Sequence, residues 1–355
     1  MKDTVQTAVV GVTGYAGAEL ARLLLHHPRL RGKPPVFVGR VEPEDAARGG
    51  VPLIEIHPQL AGSNGVRNLK QEPFSWELLA ERGVEVLFQA TPHGISREVV
   101  PIALSHGLRV IDLSGAWRLT DAANRAVYAF ADEGTEQAAA TQTQAVYGLP
   151  ELHRAEIAGA RLVANPGCYA ASVLLAMKPL VAAGLVDLEH GIVADAKSGV
   201  SGAGKAPTSK THFMHVADNL SAYSVFAHRH TGELLEQIGV TSSEIVFTPH
   251  LLPIPRGILT TIYIRFREPQ TAGGVARVYR DFFAASPMVR IYEKMLPQIQ
   301  YVARTNYADI GFQVAADGRR AVIVSCLDNL LKGASSQAVE NMNVMLGWGQ
   351  AEGLE

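Results

Sequence analysis

Over the first third of the chain, short β-branched and aliphatic runs alternate with stretches of helical periodicity, and this alternation restricts the fold more than any other feature. Residues 8–12 read as a buried strand, 17–27 as a helix stopped by Pro28, and 35–39 as a second strand. Residues 84–90 and 108–113 read as further strands around a helix over 96–105. Strand–helix–strand repeats of this kind form parallel units that take ligands beyond the carboxyl ends of their strands. After Tyr147-Gly148-Leu149-Pro150 the pattern changes to longer strands, at 244–247 and 259–266, separated by glycine- and histidine-rich loops. The expected fold is therefore α/β. The boundary between a parallel first domain and a second domain falls at that change of pattern, and the helical pattern at 334–346 is expected to pack back on the first domain.

Composition narrows the class of ligand. With 355 residues, 47% of them hydrophobic, the chain is long enough for two cores. Its formal net charge of -2, with no block of like charges, argues against nucleic-acid or anionic-membrane partners and leaves a small molecule as the expected ligand. The polar start, Met1 to Thr7, runs straight into a strand, and no apolar run approaches the roughly 18 residues of a membrane span, so a cytoplasmic protein is expected. Two cysteines, Cys168 and Cys326, are too few for a disulfide framework or a four-cysteine metal site.

Gly11, Gly14 and Gly17 punctuate the turn from the first strand into the first helix, together with Thr13 and Tyr15. Glycines there let the backbone approach a pyrophosphate while the helix amides face it. At the end of the second strand, where an NAD site places an acid for the ribose hydroxyl, the chain has Arg40, a cation suited to the 2′-phosphate of NADP. Short-chain reductases and sugar epimerases begin similarly but need Tyr-x-x-x-Lys, and none of the ten tyrosines here is followed four residues later by lysine. The chemistry has to come from another residue.

Cys168 is that residue. In Leu162-Val163-Ala164-Asn165-Pro166-Gly167-Cys168-Tyr169 an apolar strand ends in a turn and an apolar helix opens with a thiol, where unpaired amides and the helix dipole favour the thiolate. Cys326, inside a strand pattern at 321–327, reads as inert core. Thiol catalysis needs a proton carrier, and Ala227-His228-Arg229-His230-Thr231-Gly232-Glu233 supplies two imidazoles and a carboxylate. His230 is the first candidate for acid/base, His228 the second, and Glu233 is placed to orient the His230 ring if a helix begins there. His212 and His215 lack the further ligands of a metal site, and none is expected. The loop Ser198-Gly199-Val200-Ser201-Gly202-Ala203-Gly204-Lys205 nearly fits a phosphate loop, but Ala206 has no hydroxyl for Mg²⁺. Nucleotide phosphotransfer is therefore disfavoured, while the loop's amides remain able to hold a phosphate or a nicotinamide.

Taken in order, GVTGYAG, TPHGIS from Thr91, DLSGAWRLTD from Asp112, YGLPEL from Tyr147, NPGCY, SGVSGAG, HRHTGEL, FTPHLLPIPRGI from Phe247 and DNLLKGA from Asp328 resemble the N-acetyl-γ-glutamyl-phosphate reductases of arginine biosynthesis, within the group that includes aspartate-semialdehyde dehydrogenase. The resemblance spans nearly the whole chain. It implies an oligomeric two-domain reductase, a homodimer or homotetramer, with a Rossmann-type NAD(P)-binding domain over 1–147 and 328–355 and an α+β domain over 148–327 that carries both substrate and dimerisation functions. It further implies NADPH-dependent reduction of an acyl phosphate through a thioester on Cys168, with His228-Arg229-His230 supplying acid/base and with Ser198, Gly199, Gly202 and Asn329 beside the nicotinamide. Arg118 and Arg256 are candidates for the substrate carboxylate or phosphate, since arginine binds either bidentately, and Asn165 and Arg229 join them. Lys205 stands where the family has arginine, and residues 41–50 form an unfamiliar acidic segment. The lysine-pathway reductase of a carrier-linked aminoadipyl phosphate shares most of these motifs and is the alternative.

Overall fold

The computed structural model describes residues 3–63 and 65–355, which form two compact units. The first comprises Met1–Arg118, Ala129–Asn165 and Ala334–Glu355, and the second Leu119–Tyr128 and Pro166–Gly333.

The first unit is built on eight strands: β1 (Thr7–Val10), β2 (Val36–Gly39), β3 (Val51–Pro52), β4 (Lys70–Pro73), β5 (Val86–Gln89), β6 (Arg109–Asp112), β7 (Ala145–Tyr147) and β8 (Leu162–Ala164). Their spatial order is β3-β4-β2-β1-β5-β6-β8-β7, and every pairing except β3 with β4 is parallel. A parallel sheet is covered on both faces, so its strands are continuously apolar, and all four residues of β1 and of β5 are buried. The chain departs from β1 towards β2 on one side and returns to β5 on the other. Between β1 and β5, therefore, the strand order reverses and a crevice opens beyond their carboxyl ends.

The first strand ends at Val10, two residues earlier than its apolar run suggests, because Gly11 turns the chain with a φ of +91°. The helix that follows, Tyr15–His26, starts on Gly14, stops ahead of Pro28, and buries Gly17, Leu20, Ala21, Leu23 and Leu24. The final helix, Ser336–Met345, packs on the Pro150–Gly159 and Tyr15–His26 helices of this unit. Its first turn widens into a π-turn over Leu331–Ser335.

The second unit holds β9 (Ile192–Gly199), β10 (Ser221–Ala222), β11 (Ile245–Leu252), β12 (Ile258–Arg265), β13 (Val289–Tyr292), β14 (Ala308–Val314) and β15 (Arg320–Leu327), in the order β10-β11-β9-β12-β15-β14-β13. The sheet is mixed: β9 with β11 and β13 with β14 are parallel, the remainder antiparallel. One face carries the Cys168–Ala182 helix, which is apolar all round and buries eleven residues from Tyr169 to Leu180. The buried Ser172 hydroxyl is bonded to Thr260 of β12 at 2.8 Å and Ser325 of β15 at 3.1 Å, which fixes the helix on the sheet. Strand β11 runs on past Pro249 to Leu252, beyond the 244–247 read from sequence, because only the two-residue β10 lies on its outer edge.

The units part at 165/166 and 333/334, not at 147/148 and 327/328. Strand β8 pairs with both β6 and β7, which keeps the chain up to Asn165 in the first sheet. Asp328 and Asn329 remain in the second unit through bonds to Arg256 and to the Gly257 amide. Residues 119–128 also belong there, because the Glu236 carboxylate accepts from the amides of Thr120 and Asp121.

The C-terminal tail is locked to the first helix of the first unit through His27. This buried ring stacks on Trp348 at 5.5 Å, accepts from the Arg29 amide at Nδ1, and places Nε2 3.1 Å from Asn343 Oδ1. Burial pushes its pKa below the usual 6.5, against the opposing pull of Glu352 and with a smaller contribution from Arg29. Below pH 6.5 the unfolded chain then binds a proton that the native His27 refuses, so stability falls as pH falls through that window. The urea midpoint, followed by tryptophan fluorescence, should drop between pH 7.5 and 5.5, and His27→Gln should show a smaller drop.

Candidate active site

Beyond β1 the backbone is shaped by what it cannot carry. A Cβ on Gly11 would lie 2.4 Å from the Ala90 carbonyl oxygen, and one on Gly17 would lie 2.3 Å from that of Gly11. Gly14 is different, since only the Gly11 oxygen, at 3.8 Å, stands near its missing side chain. The helix it caps has no side-chain cap and no acid in its first turn, so its amides and positive dipole end at open backbone flanked by Thr13 and Tyr15. Such a terminus fits the pyrophosphate of a dinucleotide. His57, which the sequence did not single out, braces the turn by donating to the Val12 carbonyl at 2.7 Å. Arg40 follows β2 with its guanidinium in solvent, 3.8 Å from Glu42.

Cys168 occupies the first position of its fifteen-residue helix, half-buried, with Gly167 extended at the N-cap. The thiol opens onto a cavity of about 310 Å³ within the second unit, lined also by Ser198, Gly199, Gly202, His228, Arg229 and His230. Two absent side chains make room for this arrangement. A Cβ on Gly167 would sit 2.3 Å from Nε2 of His230, and one on Gly333 would sit 2.7 Å from Cβ of Cys168.

Glu233 joins the turn that carries Cys168 to His230. Its carboxylate is fully buried, accepts from the Gly167 amide at 2.9 Å, and holds its other oxygen 3.9 Å from Nε2 of His230. The two imidazoles stand perpendicular, 4.7 Å between centroids, but in unequal circumstances. Nδ1 of His228 accepts from the His230 amide at 3.1 Å, and Nε2 lies 3.5 Å from the Tyr223 hydroxyl. Burial pushes His228 down to about 4, reinforced by the Arg229 charge, so the ring is neutral at physiological pH. Tyr169 and Tyr223 complete the wall; burial raises both, Tyr223 to about 12, and Tyr169 donates to the His250 carbonyl at 2.6 Å. Neither tyrosine carries a spacing signal in the sequence, nor do Thr208, Lys210 and Thr211, which also line the cavity.

The remaining candidates divide. Asn329 holds the 198–205 loop from below, donating to the Ser201 hydroxyl at 2.9 Å and accepting from the Gly257 amide at 2.7 Å. Arg256 is not part of the cavity lining. It is paired with the buried Asp328 carboxylate at 2.9 Å and 3.0 Å, a structural tie, with the Arg304 amide on the same carboxylate. Arg118 and Asn165 belong to the first unit, where the Arg118 guanidinium donates to the carbonyls of Asn165 and Leu113 and the Asn165 amide is bonded to Ala334 and Asn341. Cys326 is fully buried in β15, its thiol pushed up to about 12 by burial. Among the described residues no three His, Cys, Asp or Glu side chains converge as a metal site would require.

Residues 6–160 match the semialdehyde dehydrogenase NAD-binding domain and residues 168–329 the semialdehyde dehydrogenase dimerisation domain. Among solved structures, aspartate semialdehyde dehydrogenase II of Vibrio cholerae complexed with ASA aligns with a TM-score of 0.69 over 97% of this chain and 98% of its own, at 17% identity. The enzyme of Candida albicans with NADP aligns with a TM-score of 0.66 over 98% and 99%, at 15% identity. Fold and domain pairing thus define an oxidoreductase of the semialdehyde dehydrogenase class.

Curated relatives narrow this. N-acetyl-gamma-glutamyl-phosphate reductase of Methanocaldococcus jannaschii is 39% identical over 98% of this chain and 97% of its own length. That of Desulfotalea psychrophila is 41% identical over 99% and 98%. The chain belongs to the N-acetyl-gamma-glutamyl-phosphate reductase family.

The contact between Gly167 and His230 makes a sharp test. In Gly167→Ala the backbone, at φ -72°, tolerates the new methyl group, but the imidazole must move away. Thiol-dependent turnover should fall by about 10²-fold or more while the thermal unfolding midpoint stays near that of the wild type.

Proposed function

We propose that this chain reduces N-acetyl-γ-glutamyl phosphate to N-acetylglutamate semialdehyde and phosphate with NADPH, as a step of arginine biosynthesis. The observation that carries the reading is Cys168 at a helix N-terminus, in one cavity with His230 and tied to it through Glu233.

The Cys168 thiolate attacks the acyl carbon, the C–O bond to phosphate breaks, and a thioester remains on the sulfur. An acyl phosphate is already activated, so the protein has to orient it, hold the thiolate and stabilise charge on the carbonyl oxygen, for which amides at the start of the Cys168 helix are placed. When bound, the reduced nicotinamide supplies the hydride that takes the thioester to the aldehyde level. His230 takes the thiol proton at the outset and returns a proton to the oxyanion. Collapse of the hemithioacetal then frees the aldehyde and the sulfur. His228, neutral and with Nδ1 committed to a backbone amide, positions His230 and leaves the proton transfer to it.

For the cofactor, Gly11, Thr13, Gly14, Tyr15 and Gly17 would hold the pyrophosphate at the uncapped helix, and Arg40, exposed after β2, would meet the 2′-phosphate that distinguishes NADP. Ser198, Gly199 and Gly202, held by Asn329 in the wall of the thiol's cavity, suit the nicotinamide. Arg229 suits the substrate carboxylate.

Self-association is part of the proposal. The sheet face of the second unit opposite the Cys168 helix exposes Val193, Val246 and Tyr263 at 40%, 37% and 48%, beside the polar row Asp195, Lys197 and His250. An apolar stripe of this kind calls for cover by a second copy. Tyr263→Arg should lower the mass measured by light scattering towards that of one chain.

The reaction is tested in reverse, with aldehyde, phosphate and NADP⁺, following NADPH absorbance. N-acetylglutamate semialdehyde should outrun aspartate semialdehyde and aminoadipate-derived analogues. A preference for the last would move the enzyme to the carrier-linked lysine pathway. Cys168→Ser should abolish turnover and retain NADPH binding, and near-normal turnover by that variant would refute covalent catalysis.

A further inference from the structure

The wall of the Cys168 cavity contains two full cations, Lys210 and Arg229, and no Asp or Glu. Arg229 lies over the Tyr128 ring at 5.9 Å, and its charge acts on His228 within the cavity. Among the described residues Lys210 takes part in no ion pair or hydrogen bond. Its backbone is nevertheless held firmly: the amides of Thr208 and Thr211 each donate to the other's hydroxyl, at 2.9 Å and 3.2 Å, and the two hydroxyls are 2.9 Å apart. The turn thus presents an ammonium and two hydroxyls, on cavity-lining residues, in a space where nothing neutralises the charge.

We propose that Lys210, with the Thr208 and Thr211 hydroxyls, binds the phosphate group that leaves the acyl carbon. The assignment rests on the acyl-phosphate reading above. A tetrahedral dianion is met by a point charge and flanking hydroxyls, whereas a planar carboxylate is better met by the fork of Arg229. In the forward direction Lys210 stabilises the negative charge that accumulates on the departing phosphate as the C–O bond breaks and the C–S bond forms. In reverse it holds inorganic phosphate for attack on the thioester, with the thiolate of Cys168 as leaving group.

Lys210→Met removes the charge at similar length, and Lys210→Arg restores it; the residue is exposed, so both variants should fold as the wild type does. In the reverse assay the KM for inorganic phosphate should rise about tenfold or more in Lys210→Met and recover in Lys210→Arg, with the KM values for aldehyde and NADP⁺ changed less than about twofold. A phosphate KM within about twofold of wild type overturns the assignment, as does a rise confined to the aldehyde, which would give Lys210 to the substrate carboxylate. A second readout needs no substrate. The ratio of Cys168 alkylation rates by anionic iodoacetate and neutral iodoacetamide should fall in Lys210→Met, and an unchanged ratio shows that the ammonium does not act on the cavity. Wild-type enzyme that alkylates normally but never turns over with phosphate refutes the function proposed above, a result distinct from either failure of Lys210.

Discussion

The buried carboxylate of Glu233 is the constraint on which the site depends. Removing a carboxylate from water is costly unless hydrogen bonds replace the lost hydration, and here the Gly167 amide provides one of them. That single bond joins two parts of the second unit that the sequence separates widely: the turn that delivers the thiol and the short helix behind the histidines. Because the other carboxylate oxygen lies 3.9 Å from Nε2 of His230, the group that holds the turn in place also fixes where the imidazole stands beside the thiol.

Such closeness needs missing atoms. Gly167 lets the imidazole lie against the α-carbon that precedes Cys168, and Gly333 lets the backbone pass against the Cβ of that cysteine. Gly199 does the same for the loop below, where a side chain would strike the Arg256 amide at 2.7 Å. None of these three has a positive φ, so the requirement is for space and not for a left-handed backbone. Gly11 is the contrasting case, needing both.

These distinctions mark how far the residues could be read unaided. Cys168, the glycine turn, the helix it opens and the histidine pair were legible because each rests on local order: a strand, a break, then a helix. The place where the chain passes between units was not, because it depends on β8 adding to β6 and β7, a pairing invisible in any window. Arginine was misleading for a related reason. Arg256 and Arg229 look equally suited to an anion in sequence, and only the fold shows that Asp328 claims the first. Lys210 failed in the other direction, a surface-looking lysine in a polar stretch with no spacing to mark it.

The unequal histidines follow from the same logic. A pair of imidazoles two residues apart offers two acid/base groups on paper, yet a single hydrogen bond sets their surroundings apart. Once Nδ1 of His228 accepts the His230 amide, protonating that nitrogen would break the bond that shapes the turn, and burial beside Arg229 already disfavours the cation. His228 is therefore held neutral by structure and by field together, and its ring stands perpendicular to that of His230. His230 stands instead 3.9 Å from a buried carboxylate, so the difference between the two rings is made by their neighbours and not by their own chemistry.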